Sequence, residues 1–186
     1  MKSIVLAPLL ARLRVATVIL ALVVPAGNAS AVSQVLPPTI SLRVTNSIGA
    51  WGYTARVNAD SYQVSARIDL ASGYPFPGDL YVGIIRPGGK EVFTWVDDGG
   101  TPRLQPGLTP LLKGIDLRTA GSLELNQLYS QPLKHAFKPD DPLGMYLVFL
   151  VISVDGKPLS AGTGWYGAEM QPLFVEPALV IPALGQ

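Results

Sequence analysis

The sequence has no cysteine, one histidine and few charges. Without cysteine it can form no disulfide, no thiolate zinc site, no cysteine nucleophile and no lipid-modified cysteine after a signal sequence. A site with several histidine ligands is excluded as well. Lys+Arg number 14 and Asp+Glu 13, so the formal net charge is +1. This balance supplies no basic field for a phosphate backbone, and we do not expect nucleic acid as a partner.

Residues 1–31 are predicted to be an export signal. Arg12 and Arg14 carry positive charge ahead of an uncharged apolar run at 15–24, and an Ala-Ser-Ala tripeptide ends at Ala31. We expect cleavage between Ala31 and Val32. The alternative is a retained anchor, but ten apolar residues rise only about 15 Å as a helix, roughly half the hydrocarbon thickness. No membrane span is therefore expected in the mature chain.

The remaining chain is long enough for a single core. A domain of about 150 residues buries roughly 68–70% of its unfolded surface, so it folds without disulfides. Small secreted modules of animals usually depend on disulfides, so an exported chain without cysteine favours a bacterial periplasm, cell surface or exterior. We expect one domain at 32–176 and a proline-rich tail at 177–186.

Alternating apolar and polar residues predict strands. Residues 61–70 alternate almost perfectly, which indicates a half-buried strand. Residues 145–154 are apolar on both sides, which suits the middle of a sheet beneath a second layer. No segment shows sustained helical periodicity, and turn signals recur every 8 to 12 residues or so. The fold class is therefore predicted to be all-β, a single antiparallel β-sandwich of about 7 to 9 strands.

The other predicted elements are shorter. Glycine and proline recur at close intervals in 97–127, which is predicted to be a long loop or insertion with a short strand near 111–117. The remaining predictions are strands 40–45 and 51–57 paired across a turn, a hairpin of 80–85 with 92–96, an edge strand in 129–137, and strands at 159–163 and 173–175.

The segment before the last long apolar run carries a short motif. Asp141, Gly144 and Tyr146 fit the pattern D-x-x-G-x-Y, which resembles the corner at the start of strand F in immunoglobulin-like domains. With the Asp-Leu-Tyr-Val strand at 79–82 and the Pro-Gly-Gly-Lys turn at 87–90, the chain is similar to immunoglobulin-like or fibronectin-III-like modules of bacterial secreted and cell-surface proteins.

The resemblance covers roughly 60–96 and 140–176, without the cysteine pair and core tryptophan of antibody domains. It implies that the Tyr146 hydroxyl caps backbone at one end of a sandwich. It also implies adhesion, scaffolding or ligand binding, with no catalytic residue or cofactor to carry over.

The most suggestive feature for binding is the aromatic pair Trp165 and Tyr166. Both lie among small residues in Gly162–Gly167, which is predicted to be a loop that stacks a sugar ring or anchors a protein partner. The alternative is that one of the two rings folds back onto the core.

Signals for catalysis or metal binding are weak. His135 stands between Lys134 and Lys138 without a nucleophile motif, so a solvated or locally bonded histidine is the simpler interpretation. The acidic pairs at 97–98 and 140–141 precede Gly or Pro, and neither has the ligand spacing of a calcium loop. Turn chemistry explains them, and calcium binding is the alternative.

Three functions remain open, in order of preference. The first is an exported non-enzymatic module that binds another envelope or extracellular protein. The second is a carbohydrate-binding module that uses Trp165 and Tyr166 as a stacking platform. The third is a small hydrolase that depends on His135.

Overall fold

The computed structural model describes residues 36–46, 54–57, 61–71, 74, 77–118, 121–129, 131–157, 159 and 164–177. Strands make up 64% of these residues, with one short helix, which confirms the prediction of an all-β chain. The predicted export signal, its cleavage site, most of 159–163 and the tail after Pro177 lie outside the described residues.

The elements follow one another in this order along the described part of the chain: β1 (Thr39–Asn46), β2 (Thr54–Arg56), β3 (Ser61–Leu70), β4 (Gly78–Ile85), β5 (Val92–Asp98), β6 (Thr101–Pro106), β7 (Leu112–Ile115), β8 (Gly121–Glu124), α1 (Leu125–Leu128), β9 (Leu133–Ala136), β10 (Gly144–Val154) and β11 (Trp165–Glu176).

The strands form two sheets. The four-stranded sheet has the order β1-β3-β8, and β9 also pairs with β3, at the opposite end from β8. The seven-stranded sheet has the order β2-β11-β10-β4-β5-β6, and β7 also pairs with β4. All these pairs are antiparallel except β2 with β11. We call the face of each sheet that meets the shared core its inner face, and the opposite face its outer face.

The two sheets share one hydrophobic core. In β3 the apolar residues predicted to lie on one face are buried from Tyr62 to Ile68, while Arg67 and Asp69 are exposed. Tyr62 meets Trp95 of β5 edge to face, with ring centroids 6.2 Å apart, which joins the sheets through aromatic contact. Alternation in β3 thus separates core from solvent as the sequence predicts.

The β10 strand lies between β11 and β4, as its apolar residues on both sides predict. Tyr146, Val148, Leu150 and Ile152 enter the shared core. The residues between them point the other way, and a second buried cluster forms on the outer face from Tyr81, Phe149, Val151 and Leu159.

The predicted pairing of 40–45 with 51–57 is wrong. The partner of β1 is β3, and β2 joins the other sheet as a parallel neighbour of β11. Ala55 and Val57 are buried in the shared core, and the Val57 amide donates to the Glu176 carbonyl oxygen at 3.1 Å. Core burial at the far edge of the seven-stranded sheet therefore overrides local hairpin pairing.

Within 97–127 the short strand predicted near 111–117 is confirmed as β7, but the rest is not one long loop, because β6, β8 and the beginning of α1 also lie there. Both prolines of β6 are tolerated because this strand lies at the edge of the sheet, where a missing N–H breaks no ladder. Gly99 and Gly100 close the β5-β6 turn with positive φ angles of 64° and 89°, and Asp97 Oδ1 accepts the Gly100 amide at 2.7 Å.

Two further strand predictions change. β11 is one continuous strand, so its final residues 173–175 are not a separate outer strand. Leu159, the described residue of the strand predicted at 159–163, does not lie in a strand. The edge strand predicted in 129–137 is confirmed as β9, which begins directly after Pro132. The described residues include no helix long and apolar enough to cross a membrane.

Candidate functional site

Two regions contain the residues that the sequence singles out. The first is the corner that leads into β10. Asp141 Oδ1 accepts a hydrogen bond from Arg86 Nη2 at 2.7 Å, and its Oδ2 accepts the Lys138 amide at 2.8 Å. Arg86 Nη1 donates to Glu91 Oε2 at 2.9 Å, and the guanidinium lies 4.5 Å from the Phe93 ring centroid. Since the Asp141 side chain is only 8% exposed, this pairing compensates a buried charge.

Tyr146 and Gly144 complete the corner. The Tyr146 hydroxyl donates to the Pro142 carbonyl oxygen at 2.7 Å, as the resemblance implies. Burial raises the pKa of Tyr146 to about 12, so the hydroxyl stays protonated and remains a donor. Gly144 has a φ of 121°, which favours glycine. Asp141, Gly144 and Tyr146 are therefore brought together as a structural corner.

His135 lies beside this corner. Its Nε2 is 3.9 Å from Asp141 Oδ2, which is too long for a hydrogen bond. The imidazole packs edge to face on Tyr62 and Phe137, with centroids 5.9 and 5.3 Å away. Burial lowers the pKa of His135, and Asp141 opposes that shift. The contacts fit a packed, neutral histidine.

A cleft of about 230 Å³ opens between the sheets at this corner. Ile84, Phe93 and Leu104 line it from the seven-stranded sheet, and His135 and Phe137 from the other side. The Arg86–Asp141 pair also lines the cleft, and its hydrogen bonds fix the loop that leads into β10.

Asp97, Asp98 and Asp141 have partners within the protein. Asp97 accepts the Gly100 amide, and Asp98 lies 3.4 Å from Arg103. Within the part of the chain that the structure describes, no group of three or more acidic or histidine side chains comes together to hold a metal ion. Turn and ion-pair chemistry thus accounts for these carboxylates.

The second region contains the aromatic pair. The sequence predicts a loop for these two residues, but they are the first residues of strand β11. An irregularity in the β10-β11 register pairs Trp165 with Ser153 and Gly167 with Ile152, so Tyr166 is the extra residue. Because neighbouring residues of a strand point to opposite faces, the two rings separate, and the extra residue places Trp165 opposite Ser153 on the outer face. Tyr166 packs against the core and meets Tyr74 with centroids 4.8 Å apart, which is the alternative that the sequence left open.

Trp165 lies on the outer face of the seven-stranded sheet, where it is 38% exposed. It borders a groove of about 160 Å³ whose floor includes Phe149 and Val151 and whose rim includes Leu108 and Met170. Every residue that lines the groove is apolar. Such a recess suits an apolar side chain better than a polar or charged group.

The apolar surface continues beyond the groove. Met145 and Phe174 face each other across β10 and β11 and are 49% and 45% exposed. The outer apolar face is defined here by its exposed large side chains and the residues between them: Leu108, Met145, Leu147, Phe149, Val151, Trp165, Met170, Pro172 and Phe174. Its β10 and β11 positions carry no charge, and Glu176 is the first charged outer position of β11.

Sequence reasoning missed Leu108, Met145, Met170 and Phe174 as candidate contact residues. A signal was available in the two strands that supply most of them. The β10 sequence is apolar on both faces, and the end of β11 places Met170 and Phe174 out of phase with buried Leu173 and Val175. Two adjacent strands with apolar residues on both faces indicate an outer surface that needs a cover.

No protein-family model, curated protein or solved structure matches this chain.

Proposed function

We propose that the chain is an exported, non-enzymatic β-sandwich module of the immunoglobulin-like type that binds another protein of a bacterial envelope or extracellular assembly. The outer apolar face is the observation that carries this proposal. Export rests on the signal pattern at 1–31, and the immunoglobulin-like type is supported by the shared core of two sheets and by the Tyr146 hydrogen bond to Pro142.

The outer apolar face has the chemistry of a protein-binding surface. Five of its side chains are large, apolar and between 38% and 49% exposed: Leu108, Met145, Trp165, Met170 and Phe174. Soluble monomers rarely expose contiguous apolar patches larger than a few hundred Å². Aromatic residues and methionine are enriched where proteins meet, and removal of their apolar area from water favours association at about 25 cal/mol per Å².

A carbohydrate-binding role is less well supported. A platform of two rings needs Trp165 and Tyr166 on one surface, but Tyr166 packs inward. Trp165 borders a groove lined by apolar residues only. Sugar hydroxyls placed there would lose hydrogen bonds to water without gaining protein partners.

A site-specific photo-crosslinker tests the proposal in the source cell. It replaces Met170 in one variant and Ser41, an exposed residue of β1 on the other sheet, in a matched variant. We expect a defined cross-linked protein from position 170 and none from position 41. That protein, once purified, should bind the chain and its Ser41→Asp variant but bind Met170→Asp at least tenfold more weakly, a difference of about 1.4 kcal/mol.

Equal cross-linking from both positions, or unchanged binding by Met170→Asp, would contradict a role for this face. Retention of the chain on a polysaccharide that Trp165→Ala abolishes would instead favour the carbohydrate alternative.

A further inference from the structure

We infer that the protein seated on the outer apolar face is a second copy of this chain, so that two copies pair through their β10-β11 surfaces. The inference rests on the proposed function because it uses the same face, and it names the partner. Three properties of the face carry it: its size, its lack of charge and its shape.

The size of the face is close to the smallest area that a specific dimer uses. The exposed fractions of Leu108, Met145, Trp165, Met170 and Phe174 add up to about two fully exposed side chains. At roughly 200 Å² for each large side chain, one copy offers about 400 Å² from these five alone. Half-buried Leu147 and Pro172 enlarge the surface. Two copies together would bury on the order of 1,000 Å², near the lower bound for specific interfaces.

The lack of charge makes the face compatible with itself. A two-fold axis brings the same patch of both copies together, so a charged residue near the axis would meet its own like charge. From Met145 to Ser153 and from Trp165 to Phe174, the outer positions carry no charged side chain. A different protein partner is commonly selected by complementary charges, and these positions offer none for that purpose. Their chemistry thus favours an identical surface.

The shape of the face also fits an isologous contact. Met145 and Phe174 project at one end of the β10-β11 pair, whereas Met170 lies opposite Phe149 in the middle and Trp165 opposite Ser153 at the other end. Met170 and Trp165 border the groove together with Leu108. Turning a second copy by a half rotation places its projecting end over the groove of the first. Glu176 and Arg56, paired across β11 and β2, border the face with charges of both signs. An apolar centre with a charged border is typical of protein interfaces.

Sedimentation equilibrium of the purified chain over a wide concentration range tests the inference. We expect a monomer–dimer equilibrium. Met170→Asp should raise the dissociation constant at least tenfold because it buries a carboxylate against its own copy. Ser41→Asp, which adds the same charge to the outer face of the other sheet, should leave the constant unchanged. Circular dichroism of both variants shows whether each retains the wild-type strand signal.

Cysteine cross-linking locates the contact independently. Because the chain has no cysteine, each variant carries a single thiol. With a short bis-maleimide, Met170→Cys and Phe174→Cys should give covalent dimers, and Ser41→Cys should not. Dimers that form from Ser41→Cys but from neither face variant would overturn the inference.

Two other outcomes would overturn it while separating it from the proposed function. A chain that stays monomeric, yet still traps a different protein from position 170, refutes self-pairing and leaves the binding module standing. A monomer that dimerises only after removal of residues 178–186 would assign the face in the intact chain to its own C-terminal segment.

Discussion

The outer faces of the two sheets differ in chemistry although their inner faces share one core. On the four-stranded sheet, Ser41, Arg43, Ser65 and Arg67 line the surface together with Glu124. Arg67 lies 2.9 Å from Asp69 Oδ1 and 3.2 Å from Glu124 Oε1. On the seven-stranded sheet, the outer face carries exposed Trp, Met, Phe and Leu side chains instead.

The difference follows from the two central strands. β3 alternates buried and exposed positions, so water satisfies its outer side chains. β10 is apolar on both sides, so its outer side needs either a cover or a partner. Phe149 and Val151 are buried in a small cluster with Tyr81 and Leu159, whereas Met145 on the same face of β10 remains half exposed. The exposed part of the outer face of β10 is therefore the part that is free to contact another molecule.

The largest expected effect concerns the covered part of the outer apolar face. Phe149 is 4% exposed and packs with Tyr81, Val151 and Leu159. Phe149→Ala should lower the free energy of unfolding by about 3–5 kcal/mol, because it leaves a cavity as well as losing apolar burial. Urea unfolding measures the change. Ser65→Ala on the polar outer face should change stability by less than about 0.5 kcal/mol. Similar values for the two would contradict a second buried cluster.

A smaller effect is expected from Gly83, which lies beneath that cluster. A Cβ at Gly83 would meet the Phe93 carbonyl oxygen and would lie 2.6 Å from Phe149 Cζ. Gly83→Ala should cost about 1–3 kcal/mol, since backbone cannot move aside as a flexible side chain can. Gly121 is the matched control on the four-stranded sheet, where nothing lies within 4 Å of an added Cβ. Equal thermal stability of the two variants would show that β4 and β5 leave room for a Cβ at Gly83.

The sequence predicts the strands better than their partners. Alternation of apolar and polar residues predicts β3, and a run that is apolar on both faces predicts β10. Each pattern reflects only the surroundings of its own strand. The parallel pairing of Ala55 with Val175 joins residues far apart in the chain, and nothing local near Ala55 encodes it. In 97–127, glycines and prolines that mark turns and a sheet edge conceal β6 between them, so turn signals alone suggest a loop.

The candidate site shows the same limit. The resemblance of the corner motif to immunoglobulin-like domains implies that the Tyr146 hydroxyl caps backbone, and the carbonyl that accepts its hydrogen bond belongs to Pro142, close by in the sequence. Trp165 and Tyr166 look equivalent in the sequence, but neighbouring strand residues point to opposite faces, and the extra residue in the β10-β11 register decides which of the two faces outward. Met145 forms a continuous apolar surface because the β10-β11 register pairs it with Phe174. Side-by-side placement depends on register, which composition does not report.

The pH dependence of stability should come from the corner and not from the outer apolar face. Burial lowers the pKa of His135, Arg86 and Lys138 lower it further, and Asp141 opposes them. Above about pH 6.5 the imidazole is neutral in both folded and unfolded chains. As pH falls below that value the unfolded chain takes up the proton first, so the free energy of unfolding should decrease until the folded pKa is passed.

Unfolding measured in urea between pH 7 and pH 5 checks this sign, with roughly one proton taken up on unfolding as the upper limit. His135→Gln should lose this part of the slope, while Met170→Ala on the outer apolar face should keep it. A wild-type slope in His135→Gln would assign the dependence to other groups.

The smallest effect is expected from the ion pairs of the polar outer face. The Arg67 side chain is 55% exposed and its partner Asp69 is 48% exposed, so water and salt screen their attraction. Arg67→Ala should change the free energy of unfolding by about 0–1 kcal/mol, and added salt should reduce the difference further. A double-mutant cycle with Asp69→Ala isolates the Arg67–Asp69 pair. A coupling energy of several kcal/mol would mean that this face, too, is covered by a partner that excludes water from the charges.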